Sequence, residues 1–371
     1  MKTILFIYGT RPEAIKMAPL VKEFQNYPEK YKVLVCLTGQ HRQMLDQINT
    51  FFDISGDFDL NLMKPNQTLF DVVAGCLLGL KDILEETKPD LIFVQGDTAT
   101  VLAGALAAYF RRIPVAHLEA GLRSGDKFAP YPEEINRILT GHIADFHFAP
   151  TNRAVENLRK ENISHNIFKV GNTVIDALHL GLSIIKNTGE EKYQSYFNFL
   201  DFSKKIILVT GHRRENFGDG FESMCRAIAY IADNHDVQIV YPMHLNPNVR
   251  EPVTRHLSCK KNIFLIDPLD YPYLIWLMEK SYLVLTDSGG IQEEAPALGK
   301  PVLVMRDVTE RQEGVEAGTA KLVGTNFNVI VSETEKLLCD KEVYASMANA
   351  VNPYGDGSTS KQVEEIVNKN L

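Results

Sequence analysis

Cysteine is scarce in this chain. Cys36, Cys76, Cys225, Cys259 and Cys339 are five among 371 residues. They are odd in number, far apart and without a Cys-x-x-Cys pair, so neither a disulfide framework nor a structural zinc site is expected. An excess of positive charge is also missing: 39 Lys plus Arg stand against 47 Asp plus Glu, a net charge of −8. Such a balance does not offset a phosphodiester backbone, and no nucleic-acid partner is expected. Long apolar runs are absent too. The N-terminal run from Ile4 to Tyr8 stops at Gly9, too short for a signal-peptide core. No other stretch approaches the ~18 apolar residues of a spanning helix. The expectation is a reducing, cytoplasmic setting without membrane contact. No strand-like run is followed by Gly-x-Gly-x-x-Gly, and Gly-x-x-x-x-Gly-Lys-Ser/Thr does not occur, so the chain carries neither a dinucleotide fingerprint nor a P-loop. Asp57-Phe58-Asp59 is the only Asp-x-Asp and has no flanking ligand; no metal is expected.

What is present is an ordinary globular composition, 45% hydrophobic and 23% charged, in a length that suits two domains of ~150 residues each. Short runs rich in Ile, Val and Leu are each followed by a Gly, Pro or Asp turn and a helix-like stretch, as for buried parallel strands. In the first half these runs are Ile4 to Tyr8, Val33 to Leu37, Leu91 to Val94, Val115 to Leu118 and Phe146 to Ala149. The pattern restarts with Ile206 to Val209, Gln238 to Tyr241, Ile263 to Ile266, Leu283 to Leu285, Pro301 to Met305 and Ala320 to Val323. Between the halves, 183–205 suits a helix and a connection. The expected fold class is α/β, with two doubly wound Rossmann-like domains, 1–180 and 181–359, facing a cleft.

In open parallel sheets, ligands bind beyond the carboxyl ends of the strands. The residues at those positions are Gly9-Thr10-Arg11-Pro12-Glu13, Thr38-Gly39-Gln40-His41-Arg42, Gln95-Gly96-Asp97-Thr98, Glu119-Ala120-Gly121-Leu122-Arg123, Thr210-Gly211-His212-Arg213-Arg214-Glu215, Pro242-Met243-His244, Asp267-Pro268 and Thr286-Asp287-Ser288-Gly289-Gly290. Turns favour Gly, Asp and Ser in any protein, but so many loops carrying Arg, His and carboxylates together point to a catalytic cleft. Ser288-Gly289-Gly290 reads as a helix opening whose free N–H groups and dipole suit an anion such as a diphosphate. A plain serine cap is the alternative. Glu294, one turn in, could accept hydrogen bonds from ribose hydroxyls, and Arg11, Lys16, Arg213 and Arg311 could balance phosphate charge. Asp97, Glu119, Glu133, Glu134 and His212 form the acid/base inventory. For Asp97 and Glu119 a turn or cap role is the competing reading. Glu133 and Glu134 could simply open a helix after Pro132. His147, His165, His179, His235 and His256 read as structural or surface residues.

Several longer motifs carry a family resemblance. They include Gly9-Thr10-Arg11-Pro12-Glu13-Ala14-Ile15-Lys16-Met17-Ala18-Pro19, Gly96-Asp97-Thr98, His117-Leu118-Glu119-Ala120-Gly121-Leu122-Arg123, Gly171-Asn172-Thr173 and Gly211-His212-Arg213-Arg214-Glu215. Thr286-Asp287-Ser288-Gly289-Gly290-Ile291-Gln292-Glu293-Glu294, Thr309-Glu310-Arg311 and Asn352-Pro353-Tyr354-Gly355-Asp356-Gly357 extend the likeness over nearly the whole chain. The chain resembles the non-hydrolysing bacterial UDP-N-acetylglucosamine 2-epimerases. That resemblance implies a GT-B-like architecture with the last helix, 360–371, crossing back onto the first domain, and a homodimer. It further implies interconversion of UDP-GlcNAc and UDP-ManNAc without NAD or metal, in the supply of cell-surface polysaccharide.

By motif match the resemblance assigns Asp97, Glu119, Glu133 and His212 to the acid/base set, without saying which acts on which face of the sugar. Ser288, Gly289, Gly290 and Glu294 match the nucleotide cradle, and Arg11, Lys16 and Arg311 match further substrate contacts. Many bacterial members bind a second UDP-GlcNAc as activator, and Gln40, His41, Gln43, Gln67, Glu133, Arg213 and His244 match that site. Asn66 stands where some relatives have Arg, and Leu269 and Leu274 stand where some have Gln and Phe. The implied chemistry suits the missing dinucleotide motif. Carbon 2 has no neighbouring carbonyl, so an enzyme must either oxidise a neighbouring hydroxyl or expel UDP from carbon 1. In the family mechanism a base takes the proton as UDP leaves, giving 2-acetamidoglucal. The proton then returns to the opposite face and UDP adds back. A GT-B glycosyltransferase, a hydrolysing epimerase and a catalytically silent sugar-nucleotide sensor are the alternatives.

Overall fold

Runs of Ile, Val, Leu and Phe that alternate with helices can bury both faces of a strand only inside a parallel sheet covered on each side. The computed structural model describes residues 1–39, 42–64 and 67–371, the side chains of Arg42 and Gln43 excepted. Its chain divides into two compact units, Met1–Leu180 with Tyr354–Leu371, and Gly181–Pro353.

The first unit is built on β1 (Lys2–Tyr8), α1 (Arg11–Gln25), β2 (Tyr31–Leu37), α2 (Arg42–Phe51), β3 (Phe58–Asp59), α3 (Leu69–Thr87), β4 (Leu91–Gln95), α4 (Ala99–Phe110), β5 (Val115–Leu118), α5 (Glu133–Ile143), β6 (Phe146–Ala149), α6 (Asn152–Lys160), β7 (Ile167–Lys169) and the start of α7 (Thr173–Thr188). Its strands form one seven-stranded sheet in the order β3-β2-β1-β4-β5-β6-β7. The central ladders are parallel, with Ile4 opposite both Val33 and Leu91. One face is sealed by Leu80 and Leu84 of α3 and Val101 and Ala105 of α4 over Leu5, Ile7, Ile92 and Val94. In the same unit Phe6 stacks on Phe93, with ring centroids 4.9 Å apart, and Phe24 of α1 meets both rings edge-on. Such packed aromatic pairs contribute about 1 kcal/mol each beyond their burial.

The second unit contains α8 (Glu191–Tyr196), β8 (Lys205–Thr210), α9 (Asp219–Asn234), β9 (Val237–Pro242), α10 (Pro247–Leu257), β10 (Ile263–Ile266), α11 (Tyr271–Lys280), β11 (Leu283–Thr286), α12 (Gly289–Ala297), β12 (Val302–Val304), α13 (Gln312–Glu316), β13 (Ala320–Leu322), α14 (Phe327–Cys339) and α15 (Lys341–Ala348). The sheet order is β10-β9-β8-β11-β12-β13. The single tryptophan, Trp276, is buried here, stacked on Phe197 at 5.4 Å, and its indole N–H donates to Glu190 at 2.9 Å. The last helix, α16 (Thr359–Asn370), belongs to the first unit, where Tyr31 donates its hydroxyl to Glu364 at 2.9 Å. The returning segment begins at Tyr354, ahead of that helix.

The fold is thus α/β and GT-B-like, with two parallel sheets flanked by helices, as expected. All the expected strands form. Two that the sequence does not announce, β3 and β7, are short pieces at the sheet edge. Asp57 and Asp59 flank Phe58 there for local reasons: Asp57 accepts from the Val35 N–H at 2.8 Å and Asp59 from the Asn61 N–H at 2.9 Å.

Candidate functional site

In the first unit the loops beyond β1, β4 and β5 are stitched together by buried carboxylates. Glu13 sits in the first turn of α1, 2% exposed. One of its oxygens accepts from the Gly9 and Thr10 N–H groups at 2.8 and 2.7 Å, and the other accepts from the Thr98 hydroxyl at 2.5 Å. Burial pushes its carboxyl up, and these donors oppose that shift. Gly9 has no room for a side chain, since a Cβ would lie 1.8 Å from the Thr38 hydroxyl.

Glu119 follows β5 directly. Its backbone is left-handed, φ 62°, a conformation that costs a non-glycine residue on the order of 1 kcal/mol or more and is retained where the surroundings require it. The side chain is nearly buried and both oxygens are engaged. Lys16 donates to Oε1 at 2.6 Å, Asn172 donates to Oε1 at 3.2 Å and Gln95 donates to Oε2 at 2.6 Å. Asp97 is paired with Arg137 of α5, and Asn136 holds the Asp97 carbonyl at 2.8 Å. Burial pushes the Asp97 carboxyl above its ordinary range; Arg137 and Lys16 pull it down, while Glu119 and Glu133 push it up. Asp97, Glu119, Glu133 and Lys16 therefore share one electrostatic neighbourhood. Glu133 is the first residue of α5, as its position after Pro132 foretells, and its Oε2 is buried without a hydrogen-bond partner. Glu134, by contrast, is spent on structure, accepting from the Ser124 and Gly125 N–H groups at 3.0 Å each. Arg11 lies at the start of α1, half-buried. Gln67 donates to the Leu62 carbonyl at 2.8 Å. Gln40, His41 and the side chain of Gln43 lie outside the described residues.

In the second unit, Asp287 follows β11 and is fully buried. Its Oδ2 accepts from the His212 and Arg213 N–H groups at 2.8 Å each, folding the loop after β8. The His212 ring lies 3.7 Å from Asp287 Oδ1 and stacks on His244, centroids 5.3 Å apart. Burial lowers the His212 imidazole below its usual range, against the pull of Asp287 and with the help of His244 and Arg213. Arg213 keeps a buried Nε without a partner.

Ser288 precedes α12, but its side chain makes no capping bond, so the plain-cap reading does not hold. Glycines follow at 289 and 290, where an added Cβ would be no nearer than 3.6 Å to Arg311 and 3.8 Å to Glu294. Glu294 accepts from the Tyr271 hydroxyl at 3.1 Å, and Arg311 donates to buried Glu293 at 2.7 Å. Gln292 links the Ser288 carbonyl to Thr309, drawing the Arg311 loop to the helix start. Leu269 is buried and Leu274 half-buried.

The supporting residues Gln95, Arg137, Asn172, Asp287 and Glu293 are not singled out by sequence reasoning. All but Arg137 fall inside or beside motifs already set out above, yet their partners are brought in by the fold from distant segments. His117 is another: it is buried, bonded to the Gly96 carbonyl at 2.7 Å, and burial holds its imidazole down at about 3. Among the described residues no group of three or more His, Cys, Asp or Glu is placed to hold a metal ion, and no helix is long and apolar enough to cross a membrane.

A doubly wound unit presenting braced carboxylates, and another presenting a glycine-opened helix beside Arg311, define an enzyme of the GT-B-like class. Residues 22–368 match the family model described as UDP-N-acetylglucosamine 2-epimerase. The chain is 54% identical to the UDP-N-acetylglucosamine 2-epimerase of Escherichia coli O157:H7, over 99% of this chain and 98% of that one. It superposes on the crystal structure of UDP-GlcNAc 2-epimerase from Neisseria meningitidis bound to UDP-GlcNAc with a TM-score of 0.90 and 47% identity, covering 99% and 100% of the two chains. Sucrose-phosphate synthase from Thermosynechococcus elongatus matches with a TM-score of 0.66 at 13% identity, over 100% of this chain and 99% of that one, a likeness of fold alone. The chain belongs to the UDP-N-acetylglucosamine 2-epimerase family and is an isomerase.

Proposed function

We propose that this chain interconverts UDP-GlcNAc and UDP-ManNAc by eliminating UDP across carbons 1 and 2 and adding it back. The carrying observation is the bracing of Glu119 by Lys16, Asn172 and Gln95 beside the half-buried Asp97. Proton abstraction from an unactivated carbon needs a carboxylate held in one orientation and acid/base partners whose proton affinities differ. Asp97, Glu119, Glu133 and His212 supply those groups. One removes the carbon 2 proton as the bond from carbon 1 to oxygen breaks, leaving 2-acetamidoglucal and UDP. A group on the opposite face then delivers a proton to carbon 2, and UDP re-forms the bond at carbon 1. Ser288, Gly289, Gly290 and Glu294 hold the nucleotide, with the N–H groups of α12 facing phosphate, while Arg11, Lys16 and Arg311 complete the substrate contacts. Neither a nicotinamide nor a metal takes part in these steps. The product supplies ManNAc-type sugar for cell-surface polysaccharide.

Gln40, His41, Gln43, Gln67, Arg213 and His244 are the residues through which a second UDP-GlcNAc would act as activator. The unpartnered Arg213 Nε and the His244 ring stacked on His212 support that role. A homodimer is favoured by the apolar side chains left open on the first unit, with Phe70 87%, Leu78 71% and Phe110 68% exposed on α3 and α4. Light scattering at micromolar concentration checks it, with twice the chain mass expected.

Incubation with UDP-GlcNAc alone in deuterated water tests the reaction. Deuterium should enter carbon 2 of both epimers. A GT-B glycosyltransferase without acceptor would leave carbon 2 unexchanged, and a hydrolysing enzyme would accumulate free ManNAc and UDP.

A further inference from the structure

Asn172 is 3% exposed and stands immediately before α7, a position at which an Asn serves as a helix cap. Its Oδ1 accepts from the Val174 N–H at 3.1 Å. With the amide oxygen committed to a backbone donor, the NH2 group must face the other way, and there it donates to Glu119 Oε1 at 3.2 Å. The Asn172 main chain is pinned as well: its N–H donates at 2.6 Å to the carbonyl of Tyr354, the first residue of the segment that returns to this unit. Gly171 makes that approach possible. It has φ +93°, and a Cβ would lie 2.9 Å from the Tyr354 carbonyl oxygen and 2.8 Å from the Thr359 hydroxyl.

We infer that Asn172 is a positioning residue, oriented by its own helix cap and by the Tyr354 carbonyl, that holds the Glu119 carboxylate in the orientation proton transfer requires. The orientation of the carboxylate thereby depends on the seating of the C-terminal return. This deepens the function proposed above and rests on Glu119 taking part in proton transfer. The charged groups that face Glu119 are Lys16 from α1, on the same oxygen at 2.6 Å, and Asp97 from the loop after β4, with Arg137 and Glu133 of α5 beyond it.

Asn172→Asp separates positioning from capping. Aspartate caps a helix as well as asparagine does, so a purely structural role would leave the variant unaffected. As a neighbour of Glu119, however, aspartate replaces a donor with a like charge. The expected result is a fall in kcat for carbon 2 exchange of ~10²-fold, with KM held and Tm lowered by only a few degrees, the effect of a like charge beside a buried carboxylate. The acidic limb of the kcat profile should move up by about one pH unit, because the like charge opposes ionisation of Glu119. Asn172→Ser, which keeps a cap acceptor but withdraws the amide donor, should lose about tenfold and move that limb upward by less than Asn172→Asp does, since a donor to the carboxylate is lost without a like charge being added. Parental kcat and pH profile in Asn172→Asp would overturn the inference, as would a loss of activity that tracks a fall in Tm in both variants. Glu119→Gln is measured alongside. If it is inactive while Asn172→Asp is normal, only the positioning role falls; if it keeps full exchange, the acid/base reading itself fails.

Discussion

The two units share a strand order through their first six strands, yet the same loops carry different side chains. In both, a buried carboxylate folds the turn after the first strand by accepting two successive backbone N–H groups. In the first unit that carboxylate is Glu13, from the helix the turn leads into, and its other oxygen reaches the Thr98 hydroxyl beyond the fourth strand. In the second it is Asp287, from the loop after the fourth strand itself. Either way the first-strand and fourth-strand loops become one rigid piece. What stands on or against that piece differs: the first unit carries Asp97, with Glu119 after the fifth strand braced against it, and the second carries His212 and the open start of α12. The doubly wound sheet sets where functional groups stand, and a few loop residues set which groups they are.

Removing the mounted groups should have the largest effect. Glu119→Gln and Asp97→Asn are each expected to lower carbon 2 exchange by ~10²- to 10⁴-fold, the usual reach of a general acid or base, while UDP binding, measured calorimetrically, persists. His212→Asn should also lower turnover; a near-parental rate would remove His212 from the acid/base set and leave that chemistry to the first unit.

Removing the clamps should separate the two units by stability. Asp287→Asn, which weakens two charge-assisted bonds to a fully buried acceptor, should cost about 2 kcal/mol in denaturant unfolding. Glu13→Gln should cost less, about 1 kcal/mol, because burial already disfavours the charged form of Glu13. An equal loss in both would break the distinction.

Acid sensitivity should lie with the first unit. Burial holds His117 at about 3 and His147 at about 4, below the ordinary imidazole value near 6.5. Folded pKa values below the unfolded one mean that the unfolded chain binds more protons, so the penalty is absent above pH 6.5 and grows as pH falls toward 4. The slope is about 1.4 kcal/mol per pH unit for each group well below pH 6.5. His117→Gln should flatten the Tm-against-pH curve in that window; an unchanged slope would contradict the assignment. The smallest stability effect is expected at Ser288. Because it makes no cap bond, Ser288→Ala should shift unfolding by less than the ~1 kcal/mol of a lost cap, yet weaken UDP binding.

Most of the strands and the post-strand loops were legible in the sequence, because a strand buried on both faces must be written in continuous Ile, Val and Leu. Edge strands β3 and β7 were not, since two or three half-exposed residues carry no such run. That Asp97, Glu119 and His212 stand in loops beyond strands was legible, and so was the position of Glu133 after Pro132. What holds them was not. Lys16 and Glu119 are 103 residues apart, Asp287 and His212 75 apart, and no local pattern ties such pairs together. Apart from the family resemblance, no local pattern distinguishes Glu133, with its unpartnered oxygen, from Glu134, which clamps the Ser124–Gly125 turn.

If UDP is expelled, retained and returned, UDP-GlcNAc labelled with oxygen-18 at the bridge between carbon 1 and the β-phosphorus should scramble that label into the non-bridging β-phosphoryl positions during turnover. The label can be followed by phosphorus NMR through its isotope shift. Scrambling in step with carbon 2 exchange is the predicted result. Epimerisation that goes to equilibrium while the label stays in the bridge would contradict elimination.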